Sequence, residues 1–258
     1  MSLPNIADIQ PTRVTLHQAS QILLSARLLG LDPLPNHLRH SLIPTPTGVS
    51  TGELNFGGEL VLDFAAGAIR YVWAGETTFS LDLAGRSQIS LYETVYQELK
   101  DAGVELHPDV NFITEQSLFE FNADAAIRFN EMMWRMFNTL ARVKVRFLGF
   151  QTPLVLWSHG FDLSTLWFPS GFDEDVDPHL NIGFSPGTPD VGQPYIYFYA
   201  YPAPSELPDL IPDAFEWNEN WHTPGGVLKY DHIKDESDPE STITDLLIQV
   251  YDVVKTMI

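Results

Sequence analysis

The run Asn36-His37-Leu38-Arg39-His40 puts two imidazoles and an amide where strand-like sequence begins. Neutral imidazole is a base, a proton carrier and a ligand for zinc-like ions, so this run is the strongest local candidate for chemistry. On an extended chain His37 and His40 point to opposite faces, and they can share a metal only if the backbone turns between them. His159, His179 and Asp162 are available as further ligands. Alternatively these histidines satisfy backbone groups beside a Pro-rich turn, and no metal is assigned.

Catalysis has three candidates, His40, Asp162 and His179. Asp162 follows Gly160 on a segment that also carries Trp157 and His159. Paired with His159 or His179 it would orient the imidazole as a general base; left to itself, an Asp after a glycine turn accepts backbone N–H bonds. Tyr195, Tyr197, Tyr199 and Tyr201 alternate with Ile196, Phe198 and Ala200. The tyrosines therefore share one face of a strand, either a buried layer or the wall of a pocket with hydroxyls at its rim. Arg27 and Arg146 each close an apolar helical pattern, where they would bind helix-end carbonyls or an acidic neighbour, or together an anion. A ligand cleft would then draw on Asn36, His37, His40, Trp157, His159, His179, Tyr199, Tyr201, Arg27 and Arg146. The chain has no phosphate-binding glycine loop, Gly-x-Ser-x-Gly, His-Glu-x-x-His or dinucleotide fingerprint, so any reaction must come from scattered residues meeting in space.

The elements that would position these residues follow from periodicity. Thr15 with Gln18 fits a capping box, and Ala19, Ile22, Leu23, Ala26 and Leu29 predict a helix over 16–29 stopped by Gly30. Leu60, Leu62 and Phe64, then Ile69, Tyr71 and Trp73, then Phe79, Leu81 and Leu83 alternate at a spacing of two between glycines, which predicts an antiparallel meander. Ser90 with Glu93 makes a second capping box for a helix ended by Gly103, and Asn122 caps a long one with an inner stripe of Ala126, Phe129, Met133, Phe137, Leu140 and Val143 or Lys144. Strands are predicted over 153–158, 161–168, 180–184, 195–201 and 227–230, with long acidic or Pro-rich loops over 169–178 and 202–224. Asp238-Pro239 opens the last helix.

The ending Arg27-Leu28-Leu29-Gly30 recurs as Arg146-Phe147-Leu148-Gly149, and in both places a helical pattern gives way to strands. This predicts an α+β protein of two duplicated helix/antiparallel-meander/helix lobes around a shared core. The expected divisions are an irregular segment 1–14, a first lobe 15–103, a connector 104–121 and a second lobe 122–258.

With 44% hydrophobic residues and 12% aromatic, the 258 residues can bury a large core. A net charge of −20, from 34 acidic and 14 basic residues, would repel phosphate backbones and anionic lipid, so neither nucleic acid nor membrane is an expected partner. There is no cysteine, which removes disulfides and thiolate chemistry. With no signal-peptide pattern or bilayer-length apolar run either, a cytoplasmic protein is expected.

Six motifs in order, Thr15-Leu16-His17, Asn36-His37-x-x-His40, Leu62-Asp63-Phe64, Trp157-x-x-Gly160-Phe161-Asp162-Leu163, Gly183-Phe184-x-Pro186-Gly187 and Tyr199-Ala200-Tyr201-Pro202, resemble the bacterial DUF5996 family over about residues 12–255. The resemblance implies no activity. Family members often read Ser-His-Glu where this chain has Pro178-His179-Leu180, which removes a carboxylate beside His179. They also often read Trp-Gly-Ser-Phe-Asp-Leu where it has Trp157-Ser158-His159-Gly160-Phe161-Asp162-Leu163. The expectation is a module with a small-molecule ligand in a cleft between the lobes. The alternatives are a hydrolase or lyase using His40, His179 and Asp162, with or without a metal, and an interaction protein without a ligand. The sequence names no cofactor and fixes no oligomeric state.

Overall fold

The computed structural model describes residues 2–107 and 110–258. Its elements are α1 (Gln10–Gly30), β1 (Ser41–Thr45), β2 (Gly48–Ser50), β3 (Glu59–Asp63), β4 (Ala68–Trp73), β5 (Glu76–Asp82), α2 (Gln88–Asp101), α3 (Ala123–Lys144), β6 (Phe150–Gln151), β7 (Val155–Trp157), β8 (Asp162–Phe168), β9 (His179–Ser185), β10 (Tyr195–Tyr201), β11 (Glu216–Asn218), β12 (Gly225–Lys229) and α4 (Pro239–Val254). With four α-helices among the described residues and antiparallel strand pairing, the protein is α+β. Part of the predicted connector, Pro108 and Asp109, lies outside the described residues, as does Met1. No helix among the described residues is long and apolar enough to cross a membrane. The chain divides into two compact units: the first holds 4–134 and 156–159, and the second holds 135–155, 160–258 and the N-terminal residues up to Leu3.

In the first unit the antiparallel order is β7, β1, β2, β3, β4, β5, with Leu156 and Trp157 supplying β7. Helix α1 lies on β1 and β3 and buries Ala19, Ile22, Leu23 and Ala26 of the predicted stripe together with Leu16, whereas Leu29, the stripe's last member, is exposed. It starts earlier than predicted. Pro11 sits in the first turn, where its missing N–H costs nothing, and Thr15 is inside the helix with its hydroxyl donating 3.0 Å to the Glu120 carbonyl rather than capping. Nor does Gly30 stop the helix by a left-handed turn. It is the last helical residue, and a Cβ there would lie 2.7 Å from the Phe56 ring, so the glycine permits a close approach. In α2 the capping box is one turn earlier than predicted: Ser87 is the cap and Ser90 its reciprocal partner, because a hydroxyl can both accept and donate at either position. The Asn122 cap on α3 is as predicted, its Oδ1 accepting from Ala125 N at 2.9 Å.

In the second unit the order is β11, β12, β10, β9, β8, with β6 on the other edge of β8. Helix α4, capped by Asp238 as expected, packs on β9 and buries Ile243, Leu247, Val250 and Val254. Register sets the two faces of this sheet. Gly183 pairs with both Ser164 and Tyr197, and Asn181 with both Leu166 and Tyr199. One face therefore carries Leu163, Trp167, Leu180, Ile182, Phe184, Ile196 and Phe198, all buried. The opposite face carries Asp162, Ser164, Asn181, Ser185 and the four tyrosines of β10. It is polar and aromatic at once.

Candidate functional site

Tyr195, Tyr197 and Tyr199 form the wall of a hollow of about 380 Å³ on that face, whose other lining includes Asp162, Ser185, Thr188, Trp221 and His222. Strand alternation aims the three phenols the same way, and Tyr195 and Tyr197 are buried against Val227 with Val191, Tyr199 and Trp221 packed on them. Trp221 comes from the loop between β11 and β12. Its ring lies 6.0 Å from Tyr195 and 6.1 Å from Tyr197, and Tyr195 lies 6.0 Å from Tyr197, so the three make a near-equilateral triangle. The Trp221 indole N–H donates 3.1 Å to Asp190, which holds the loop over the hollow.

Asp162 is the acidic group of the hollow. The Tyr197 hydroxyl donates to its Oδ2, and Gly183 makes that geometry available: a Cβ at this position would overlap the Tyr197 ring and lie 2.6 Å from the Leu163 carbonyl. Burial, reinforced by the Asp162 charge, pushes the Tyr197 phenol well above its ordinary range. Burial also raises Tyr199 and Tyr195, with the Asp162 charge adding to both. The carboxylate is thus felt by all three phenols. Thr188 donates 3.3 Å to the Tyr195 hydroxyl, and Asn181, directly opposite Tyr199 in register, has a buried Oδ1 with no partner among the described residues.

His179 and Tyr201 lie next along the same face. The His179 ring is 5.4 Å from Tyr201 in a stacked arrangement, 6.0 Å edge-on to Tyr199 and 5.6 Å from Phe168. Its Nδ1 is 3.0 Å from the Asp177 carbonyl, which can only accept, so the proton is on Nδ1. Burial lowers its pKa, which keeps the ring neutral near pH 7.

The remaining candidates lie in the first unit or away from the hollow. Asn36 and His37 have left-handed backbone, which brings His37 and His40 rings to 6.2 Å on a short helical turn, with His40 Nδ1 3.3 Å from the His37 carbonyl. Among the described residues no three His, Asp or Glu side chains gather as a metal-binding set. Trp157 and His159 pack at 6.0 Å, and the neighbouring Ser158 carbonyl bonds His17. Arg27 is buried and donates to the Leu38, Arg39 and Thr51 carbonyls, while Arg146 is exposed beyond α3. Two arginines with matching sequence surroundings thus have unlike environments.

A family model described as a family of unknown function, DUF5996, matches residues 2–257. The chain belongs to the DUF5996 family. Comparison with curated proteins and with solved structures gave no match. In this DUF5996 protein, four positions from the motifs that carried the resemblance surround the hollow: Gly160, Asp162 and Tyr199 line it, and Gly183 seats the Tyr197 ring. Tyr195 and Tyr197 were signalled by the same alternation as Tyr199 and Tyr201. Thr188, Trp221 and His222 carried no signal, since loop residues have no period to reveal which face they cover, and Ser185 ends β9 one residue beyond the strand predicted over 180–184.

Proposed function

We propose that this DUF5996 protein binds a small organic molecule in the tyrosine-lined hollow of its second unit. The observation that carries this is the conjunction of four aromatic rings, three tyrosines and Trp221, with one carboxylate in a concavity of about 380 Å³, within the usual size range of small-molecule sites. Apolar walls supply affinity there, and the few polar groups fix orientation. Every lining residue belongs to the second unit, so the hollow is complete without His40 or Trp157.

Binding is favoured over hydrolytic or lyase chemistry by how the acid and base are engaged. Asp162 is bonded by Tyr197, whereas His179 is oriented by the Asp177 carbonyl amid aromatic rings. A His–Asp general base would have the carboxylate on the imidazole.

The test is a thermal-shift screen of a chemically diverse small-molecule set on wild type and Trp221→Ala. Compounds that stabilise the wild type and lose at least about tenfold in affinity on Trp221→Ala support the proposal. Hits that bind both proteins equally, or a screen with none, would sink it.

A further inference from the structure

The charge balance of the hollow says which ligands it suits. Asp162 is its acidic side chain, and Lys and Arg are absent from its lining. Lys229, which the register of β12 places on this face of the sheet, is held 2.7 Å from Glu216. Just outside, Asp190 is fixed to the Trp221 indole, and the Glu174 charge reaches the Tyr199 phenol. An anionic ligand would meet a carboxylate with no Lys or Arg in the lining to offset it, which is costly wherever water is displaced.

The rings point the same way. Aromatic faces carry negative potential and attract cations within ~6 Å of the ring centroid. For a triangle with sides of 6.0, 6.0 and 6.1 Å, a point as much as about 4.5 Å above its centre is still within ~6 Å of all three centroids. The rings tilt at 57°, 36° and 88° to one another, so no two are stacked parallel. The same Asp162 charge that opposes phenolate formation in Tyr195, Tyr197 and Tyr199 would favour a positive group placed among them. A divalent metal is not matched by this set, because among the described residues no three His, Asp or Glu side chains gather as the several ligands such ions require.

Building on the small-molecule reading above, we infer that the hollow is selective for organic cations, with an alkylammonium head seated over Tyr195, Tyr197 and Trp221 and balanced by Asp162. Primary amines would add a charge-assisted hydrogen bond to the carboxylate. Quaternary ammonium groups would rely on the ring faces alone.

Three probes decide this: choline, butylammonium and 3,3-dimethylbutan-1-ol, the neutral carbon isostere of choline. Each is titrated into the full chain at about 0.15 M salt, which screens the diffuse attraction of a net-acidic surface. Binding is read by calorimetry and by the Trp221 indole N–H resonance, assigned with Trp221→Phe. The expected result is saturable binding of at least one cation, at least about tenfold tighter than the isostere, with Asp162→Asn removing most of that preference. Asparagine still offers Oδ1 to the Tyr197 hydroxyl, and circular dichroism verifies that the variant is folded. Should Asp162→Asn unfold, butylammonium against uncharged butanol on the wild type gives the same comparison. Isostere binding as tight as both choline and butylammonium, or a response to neutral and anionic compounds but not to cations, overturns the cation selectivity and leaves the small-molecule reading standing. If no compound of any charge moves Trp221, both fall.

Discussion

Removing one oxygen, by Tyr197→Phe, isolates the contact on which the hollow's geometry turns. The ring stays, so apolar burial is unchanged, and Asp162 loses the hydroxyl that donates to it. Hydrogen bonds to charged groups contribute roughly 1.5–3 kcal/mol. Because Asp162 is only half-buried and lines an open concavity, water replaces part of the lost bond, and the expected cost is about 1–2 kcal/mol. At ~2–4 °C per kcal/mol for a chain of this size class, the melting temperature should fall by roughly 2–8 °C. Tyr195→Phe is the internal control. Its hydroxyl accepts a long 3.3 Å bond from neutral Thr188 rather than donating to a carboxylate, so the loss should be about 0.5 kcal/mol. Urea denaturation of the two variants, Asp162→Asn and the Tyr197→Phe/Asp162→Asn double variant gives the coupling energy directly, with an unchanged m-value showing that compactness is retained. Equal losses for Tyr195→Phe and Tyr197→Phe, or no coupling between Tyr197 and Asp162, would refute the reasoning.

Other changes follow from the same contacts. Gly183→Ala forces a methyl into the Tyr197 ring and against the Leu163 carbonyl, and should destabilise by about 1–3 kcal/mol or more; wild-type stability would show that the ring sits elsewhere. Arg27, whose guanidinium is pushed down to about 10 by burial, bonds three carbonyls, and Arg27→Lys should cost about 2–3 kcal/mol in urea because an ammonium cannot reproduce the fork. Tyr71, Tyr96, Tyr195, Tyr197 and Tyr199 are all raised by burial, so the folded chain keeps protons that the unfolded chain releases near pH ~10. Their stabilisation is complete below that pH and lost as pH rises through the raised values, which a phenolate-absorbance titration should register as delayed, cooperative ionisation. His17 and His179 have the opposite sense. Burial lowers both, so their stabilisation is present above about pH 6.5 and lost as pH falls, and melting temperatures between neutral and mildly acidic pH should decline less when His179 is replaced by Gln.

Sequence periodicity carried the fold further than the site. The spacing of two in β10 placed four tyrosines on one face, and the caps at Asn122 and Asp238 marked real helix starts. Two other caps were misplaced for a shared reason. Hydroxyl residues bond backbone in several settings, so Thr15 served a distant carbonyl and Ser90 the reciprocal half of a box. At the hollow, what one strand dictates was legible, and what two segments decide together was not. Nothing in Tyr197 shows that Gly183 lies opposite it in register, and nothing in the loop from 202 to 224 shows that Trp221 folds back over Tyr195. The matched Arg27 and Arg146 endings show the same limit, since one guanidinium is buried on carbonyls and the other faces solvent.

Trp221 is one of six tryptophans, and its indole N–H reports on the mouth of the hollow through its bond to Asp190. The most direct measurement is a two-dimensional nitrogen–proton spectrum of the indole region during titration with hits from the small-molecule screen. A ligand held against the tyrosine wall should shift the Trp221 resonance saturably while those of Trp73 and Trp134, on the first unit's strands and helix, stay fixed. Uniform small shifts across all the indoles, or a Trp221 signal indifferent to every compound that stabilises the protein, would contradict a binding site on this face.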